Sequence, residues 1–202
     1  MNIKCPANAQ LAYFPMKDCT VAAGFKNSKY KKAYKYPHYG VDFDSLGRES
    51  YYNLASGYGE VIGVEMNSTN SIGGVIVIKY SNVYVPKKKK VMDLIFRIYH
   101  NEHILVKKDD KVTPYQKIGT VSDCHKWYNH THLEIDTDTK YPFYTPQVAE
   151  ASSKLLIRKG ATDKTMLNPI DVLVVGKEQS VIVHPLATYA DKKVDAPKYF
   201  EI

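Results

Sequence analysis

Apolar and β-branched residues crowd together or alternate with polar ones in short runs along this chain, and a helical repeat is nearly absent. The runs "GEVIGVEM", "GGVIVIKY", "VMDLIFRIYH", "HILV", "QKIGTV" and "THLEID" follow in close order, separated by turns rich in Gly, Asn, Asp or Lys. Such runs predict strands, and their regular spacing predicts a mostly β fold, an antiparallel sheet or sandwich with few short helices. One segment fits a helix: in "QVAEASSKLLI", Val148, Ala151, Leu155 and Leu156 recur at helical spacing. "MLNPIDVLVV" reads as a closing strand-and-turn element, and another strand-like run follows Gly176. The first 35 or so residues, ending in "KNSKYKKAYKY", read as an irregular approach, and "YPHYGVDF" is expected to be extended or turning because proline disfavours helix in the residue before it. The expected organisation is an N-terminal extension (1–35) packed on one domain (36–176), then a C-terminal extension (177–202).

Composition narrows the picture. A chain of 202 residues, 44% of them hydrophobic, can bury one sizeable core. The formal charge of +7 favours a polyanionic partner, whether nucleic acid, anionic lipid or an anionic cell-wall polymer. The densest basic run, "PKKKKV" from Pro86 to Val91, lies between two strand-like stretches and reads as a solvated hairpin turn. Neither a phosphate-binding glycine loop, nor an aromatic RNA-binding signature, nor paired zinc-finger spacing is present, so nucleic acid is not the expected partner. No run of 18 or more apolar residues and no basic-then-apolar leader occurs, so neither a membrane span nor an export signal is expected. Cys5, Cys19 and Cys124 form no C-x-x-C pair, and a Cys5–Cys19 bridge is one option for them.

The chemistry concentrates in "NHTHLEID", Asn129 to Asp136. On a strand, His130, His132, Glu134 and Asp136 share one face, while Thr131, Leu133 and Ile135 take the other. Two imidazoles held side by side on a half-buried strand suit metal binding or proton transfer. His38 lies four residues before Asp42, so an extended segment puts both on one face as well. Catalytic zinc takes three protein ligands, which His38, Asp42 and one histidine of the pair would supply. The remaining histidine would lie beside the metal, placed to carry a proton or to stabilise an oxyanion.

The order "HYGVD", then "YH" ahead of "ILVKKDDKVTPYQKIGTV", then "HTHLEI" resembles the lysostaphin and LytM type of zinc peptidoglycan endopeptidase, a peptidase family of the duplicated hybrid motif fold. The resemblance covers about Tyr36 to Ile135, with "LNPIDVL" similar to the family's closing segment. It implies that His38, Asp42 and His132 bind Zn²⁺ and that His100 and His130 are the catalytic histidines outside the ligand set. His103 is the alternative to His100, which lies four residues before Ile104 and fits the family's spacing better. His125 and His184 fall in no motif. The family's Gly-Pro ahead of H-x-H is Tyr128-Asn129 here, and Asp109 and Tyr115 stand where its hairpin has glycines, departures that touch the rim of the site.

The resemblance implies a zinc metallo-endopeptidase acting on stem or cross-bridge peptides of bacterial peptidoglycan. Tyr39, Tyr99 and Tyr128, around the site, are candidates to line the substrate groove, with packing as their alternative role. A cell-wall substrate without an evident signal peptide suggests an endolysin of a bacteriophage or prophage, a lysin carried on a phage particle, or a fragment of an exported protein. The alternative is a non-catalytic wall-binding or virion structural module of the same fold. A biotinyl or lipoyl carrier, suggested by the hairpin "VKKDDKVTPYQKIGTV", would lack an attachment lysine in a short turn and leave the histidines unexplained.

Overall fold

The computed structural model of the chain describes residues 4–44, 52–67, 72–121, 130–146, 153–158, 164–183, 188–189 and 192–193. The chain is mostly β, as the runs of apolar residues require. In order, its elements begin β1 (Ala12–Tyr13), β2 (Asp18–Ala23), α1 (Ser28–Tyr34), β3 (Val41–Asp44), β4 (Tyr52–Leu54), β5 (Gly59–Glu65), β6 (Gly74–Val85) and β7 (Lys90–Ile104). They continue with β8 (Lys111–Val112), β9 (Lys117–Val121), β10 (His130–Asp136), β11 (Tyr144–Thr145), β12 (Ile157–Arg158), β13 (Met166–Leu167), β14 (Leu173–Val174) and β15 (Ser180–Val183).

One large sheet carries the site. Its order is β15-β2-β3-β10-β7-β6-β5-β8, with β13 on β10 and β9 joining β4 to β7. All of these pairings are antiparallel except β15 on β2, which is parallel. The lysine run forms the turn of the long β6–β7 hairpin, where Val85 pairs with Lys90 and Lys89 adopts φ 52°. "VMDLIFRIYH" and "HILV" belong to one strand, β7, rather than two.

Strand alternation sorts the core into two faces. Val41 and Phe43 of β3, Ile76 and Ile78 of β6, Phe96 and Ile98 of β7, and Leu133 and Ile135 of β10 point into the main core. Val75, Val77, Ile95 and Tyr99 point the other way, into a smaller cluster with Leu156. Covering both faces explains why six of the seven residues of β10 are buried. The polar residues of β10 therefore lie inside the protein, where they need partners.

Other features also depart from the sequence reading. The helix expected over Val148–Ile157 does not form in its described part: Ser153–Leu156 are irregular and Ile157 begins β12, while 147–152 lie outside the described residues. Ser153 Oγ accepts the backbone N–H groups of Leu155 and Leu156, and Glu65 takes the Ser153 hydroxyl and the Lys154 N–H. These side-chain bonds to the backbone replace a helical ladder. The helix that does form is α1, inside the segment read as irregular. Asn27 caps it by accepting the Tyr30 N–H at 2.9 Å, and Lys35 closes it in the left-handed conformation. No residue of α1 is fully buried, so it displays no apolar stripe. Cys5 and Cys19 are free thiols: Cys5 donates to the Ala9 carbonyl, and Cys19 is buried in β2. Cys124 lies outside the described residues. No helix among the described residues is long and apolar enough to cross a membrane.

Candidate metal centre

β3 and β10 are antiparallel neighbours, and their register places Asp42 directly opposite His132. Both side chains project on the face away from the main core. His38 reaches them from the irregular segment before β3, not from the strand itself. Its approach depends on Gly40, where an added Cβ would collide with the Leu133 carbonyl and lie 2.6 Å from the His132 ring.

Three ligand atoms converge as a result. His38 Nε2 lies 3.1 Å from Asp42 Oδ1 and 2.9 Å from His132 Nδ1, and His132 Nδ1 lies 2.8 Å from Asp42 Oδ1. His38 and His132 are buried, and the Asp42 side chain is 13% exposed. Among the described residues, this is the group that could hold a metal ion, with its candidate ligand atoms within 4.8 Å of one another.

The hydrogen bonds set which nitrogens can coordinate. His38 Nδ1 lies 2.9 Å from the Gly24 carbonyl, which can only accept, so Nδ1 carries a proton and Nε2 is the nitrogen turned to the site. In the protein without a cation, His132 Nδ1 carries a proton to Asp42. Burial opposes a charged imidazolium there, but the Asp42 and Glu134 carboxylates outweigh it and raise the His132 pKa to about 9. Burial likewise opposes ionisation of Asp42, and the two histidines overcome it, holding the carboxyl well below its usual range. Two imidazole nitrogens and a carboxylate oxygen are a hard-to-borderline donor set that suits Zn²⁺. The residues fit that ion in number, donor type and tautomer.

Aromatic rings wall the cluster. The Tyr30 ring of α1 stacks on His38 at 4.2 Å and 23°. Burial, and after it the Asp42 charge, push the Tyr30 phenol far above its usual range, so it stays neutral. Tyr99, expected in the groove, is buried and meets His132 edge-on at 5.1 Å, supporting the ligand from inside. Tyr39 is half-buried against the main core. Tyr128 and His125 lie outside the described residues, as does His184.

His100 and His130 come together beside the ligands, with ring centroids 4.7 Å apart. The His100 ring lies 6.3 Å from that of His132. Regular alternation would send His100 toward the main core with Phe96 and Ile98. Instead, His100 has φ 64°, its N–H donates to the Ile72 carbonyl, and β7 slips register against β6 between Ile98 and Asn101. This bulge turns the ring to the face of the metal cluster. His103 is exposed and pairs across to Thr120 on β9.

Arg97 was not legible as part of the site. It is fully buried and faces Glu134, which is bonded in turn to Thr145. A lone guanidinium inside the apolar run "DLIFRIY" was the available signal, since a buried charge requires a partner.

No family model matches the chain, and no curated protein matches it. Among solved structures, a chain of the SpoIIQ–SpoIIIAH pore-forming complex superposes with a TM-score of 0.54 at 17% identity, covering 82% of this chain and 92% of that one. A second SpoIIIAH–SpoIIQ complex gives a TM-score of 0.52 at 17% identity, covering 79% and 98%. The similarity shows a shared fold. The catalytic domain of a prophage-encoded M23 protein, EnpA from Enterococcus faecalis, is also similar, with a TM-score of 0.44 at 21% identity over 66% of this chain and 89% of that one.

Proposed function

We propose that the protein is a zinc-dependent endopeptidase that hydrolyses peptide bonds in the stem or cross-bridge peptides of bacterial peptidoglycan. The observation that carries this reading is the convergence of His38 Nε2, Asp42 Oδ1 and His132 Nδ1 beside the His100–His130 pair. The sequence motifs that resemble the lysostaphin and LytM peptidases fall on these same residues.

His38, Asp42 and His132 would hold the ion. Zinc bound there would supply Lewis acidity toward a scissile carbonyl and lower the pKa of a water molecule. The rest of the work falls to side chains of this chain. His100 and His130 can each take or give a proton at a ring nitrogen, and their N–H groups can donate to an oxyanion as charge develops on the carbonyl oxygen. Tyr30 screens one side of His38 from water. The +7 charge favours retention on an anionic wall polymer, so the enzyme would act at the bacterial cell wall, released by lysis, carried on a phage particle or exported as part of a longer protein.

The likeness to a chain of a two-protein complex favours a second reading, a module of the same fold that docks on a protein partner or on the wall without cleaving it. Mass spectrometry of muropeptides released from purified walls separates the two. Zinc-loaded protein is expected to release cleaved peptides, and His132→Ala to release none. Zinc-loaded protein that releases nothing from walls of several bacteria would favour the docking module.

A further inference from the structure

Behind His132, on the side away from Asp42, lies a buried ionic network. The Arg97 guanidinium donates through Nη1 to Glu134 Oε2 at 3.1 Å, through Nη2 to Asp136 Oδ2 at 2.8 Å and through Nε to the Pro142 carbonyl at 2.8 Å. The Thr145 hydroxyl donates its one hydrogen to the Glu134 carboxylate, with Oγ1 at 2.8 and 2.7 Å from the two oxygens. The Arg97 and Glu134 side chains are 0% exposed and Asp136 1%. Removing three charged groups from water is expensive, and a salt bridge used only to tie β7 to β10 would often be outdone by apolar residues of similar volume.

Two observations connect the network to the metal cluster. First, His132 Nε2 is buried with no hydrogen-bond partner and faces Glu134 Oε1 at 3.7 Å. Second, the charges complement a divalent cation. Arg97 is shared between Glu134 and Asp136, so the guanidinium does not cancel the Glu134 charge alone, and a net negative charge stands directly behind His132.

Resting on the zinc reading above, we infer that Glu134 is a positioning residue for His132: it receives the Nε2–H and so directs the Nδ1 lone pair at the metal, with Arg97, Asp136 and Thr145 fixing the carboxylate. A histidine ligand whose other ring nitrogen is tied to a carboxylate is a better base and is held in one orientation.

The test measures zinc affinity by chelator competition for the wild type, Glu134→Gln and Thr145→Val, with thermal melting of each metal-free protein. Glu134→Gln keeps the shape of the carboxylate but removes its charge, and is expected to weaken zinc binding about 10- to 100-fold. Thr145→Val leaves every charge in place and is expected to weaken it less, in the same direction. Long-range ¹⁵N–¹H spectra of the zinc-loaded protein should show the His132 Nε2–H signal move in both variants. Unchanged zinc affinity and an unmoved Nε2–H signal in Glu134→Gln would overturn the inference and leave the network as a strut, even if melting falls. Wild-type protein that takes up no zinc would overturn the metal reading and this inference together.

Discussion

Asp42 and His132 are cross-strand partners whose Oδ1 and Nδ1 atoms lie 2.8 Å apart, and the third member of the cluster, His38, reaches both from the irregular segment that precedes β3. Three separate stretches of chain therefore meet at one point only when the sheet has assembled. The purified protein should hold about one zinc per chain, and His38→Ala, Asp42→Ala and His132→Ala should each lower occupancy, since three ligands are the usual minimum for a catalytic zinc. Elemental analysis after gel filtration measures this directly. Wild-type zinc content in all three variants would remove the cluster from consideration as the metal site.

The same contact sets a pH dependence in the metal-free protein. The His132 pKa is raised from 6.5 to about 9, so the folded protein holds a proton there that the unfolded chain releases sooner. The stabilisation is present in full below the unfolded value of 6.5 and is lost as pH rises toward about 9. Melting temperature of the metal-free protein is expected to fall across that window, and Asp42→Asn to flatten the fall. Zinc must displace this proton, so calorimetric titration at neutral pH in buffers of different ionisation enthalpy should detect close to one proton released per zinc bound. Zinc binding that releases no proton would contradict the protonated state assigned to His132.

Much of this site could be read from alternation. The face shared by His130, His132, Glu134 and Asp136 follows from period two along β10, and the structure keeps it. What alternation could not supply is the position of His100, because a bulge with a left-handed residue reverses the side to which the chain points. His38 was placed by assuming an extended segment through Asp42, whereas β3 starts only at Val41. Proximity here comes from an irregular segment and the close approach at Gly40. Helix α1 escaped because its tyrosines and lysines make no apolar stripe; its Asn27 cap was the local signal. The expected helix near residue 150 failed in its described part because Glu65, nearly ninety positions earlier, claims Ser153 and the Lys154 N–H.

Gly40 tests the close approach. A methyl group there would collide with the Leu133 carbonyl and press on the His132 ring, and neither the β10 backbone nor a buried ligand can yield easily. Gly40→Ala is expected to destabilise the fold by about 1–3 kcal/mol, the range for overpacking a tight interior. Zinc affinity should fall as well, because relief comes by moving His132. A thermal melt combined with zinc competition reads both, and a variant with wild-type values for each would show that the segment has slack.

Catalytic and purely structural readings of the histidine cluster part at His100 and His130. Both rings lie beside the ligands without belonging to the triad of ligand atoms, so His100→Ala and His130→Ala should retain zinc. Loss of a general acid–base group lowers turnover by about 10²- to 10⁴-fold, and loss of one oxyanion donor by about 10²- to 10³-fold. Muropeptide release should therefore drop by at least about 100-fold in each variant while zinc content holds. Melting must accompany the assay, because β10 also carries Thr131 and Leu133 into the core and His100 occupies a bulge that an alanine tolerates less well. His130→Ala is the cleaner variant, being on regular strand with a half-exposed side chain. If it melts normally, binds zinc normally and still cleaves walls at the wild-type rate, His130 is a polar strand position and proton transfer must be sought elsewhere, beginning with His103 on the outer end of β7.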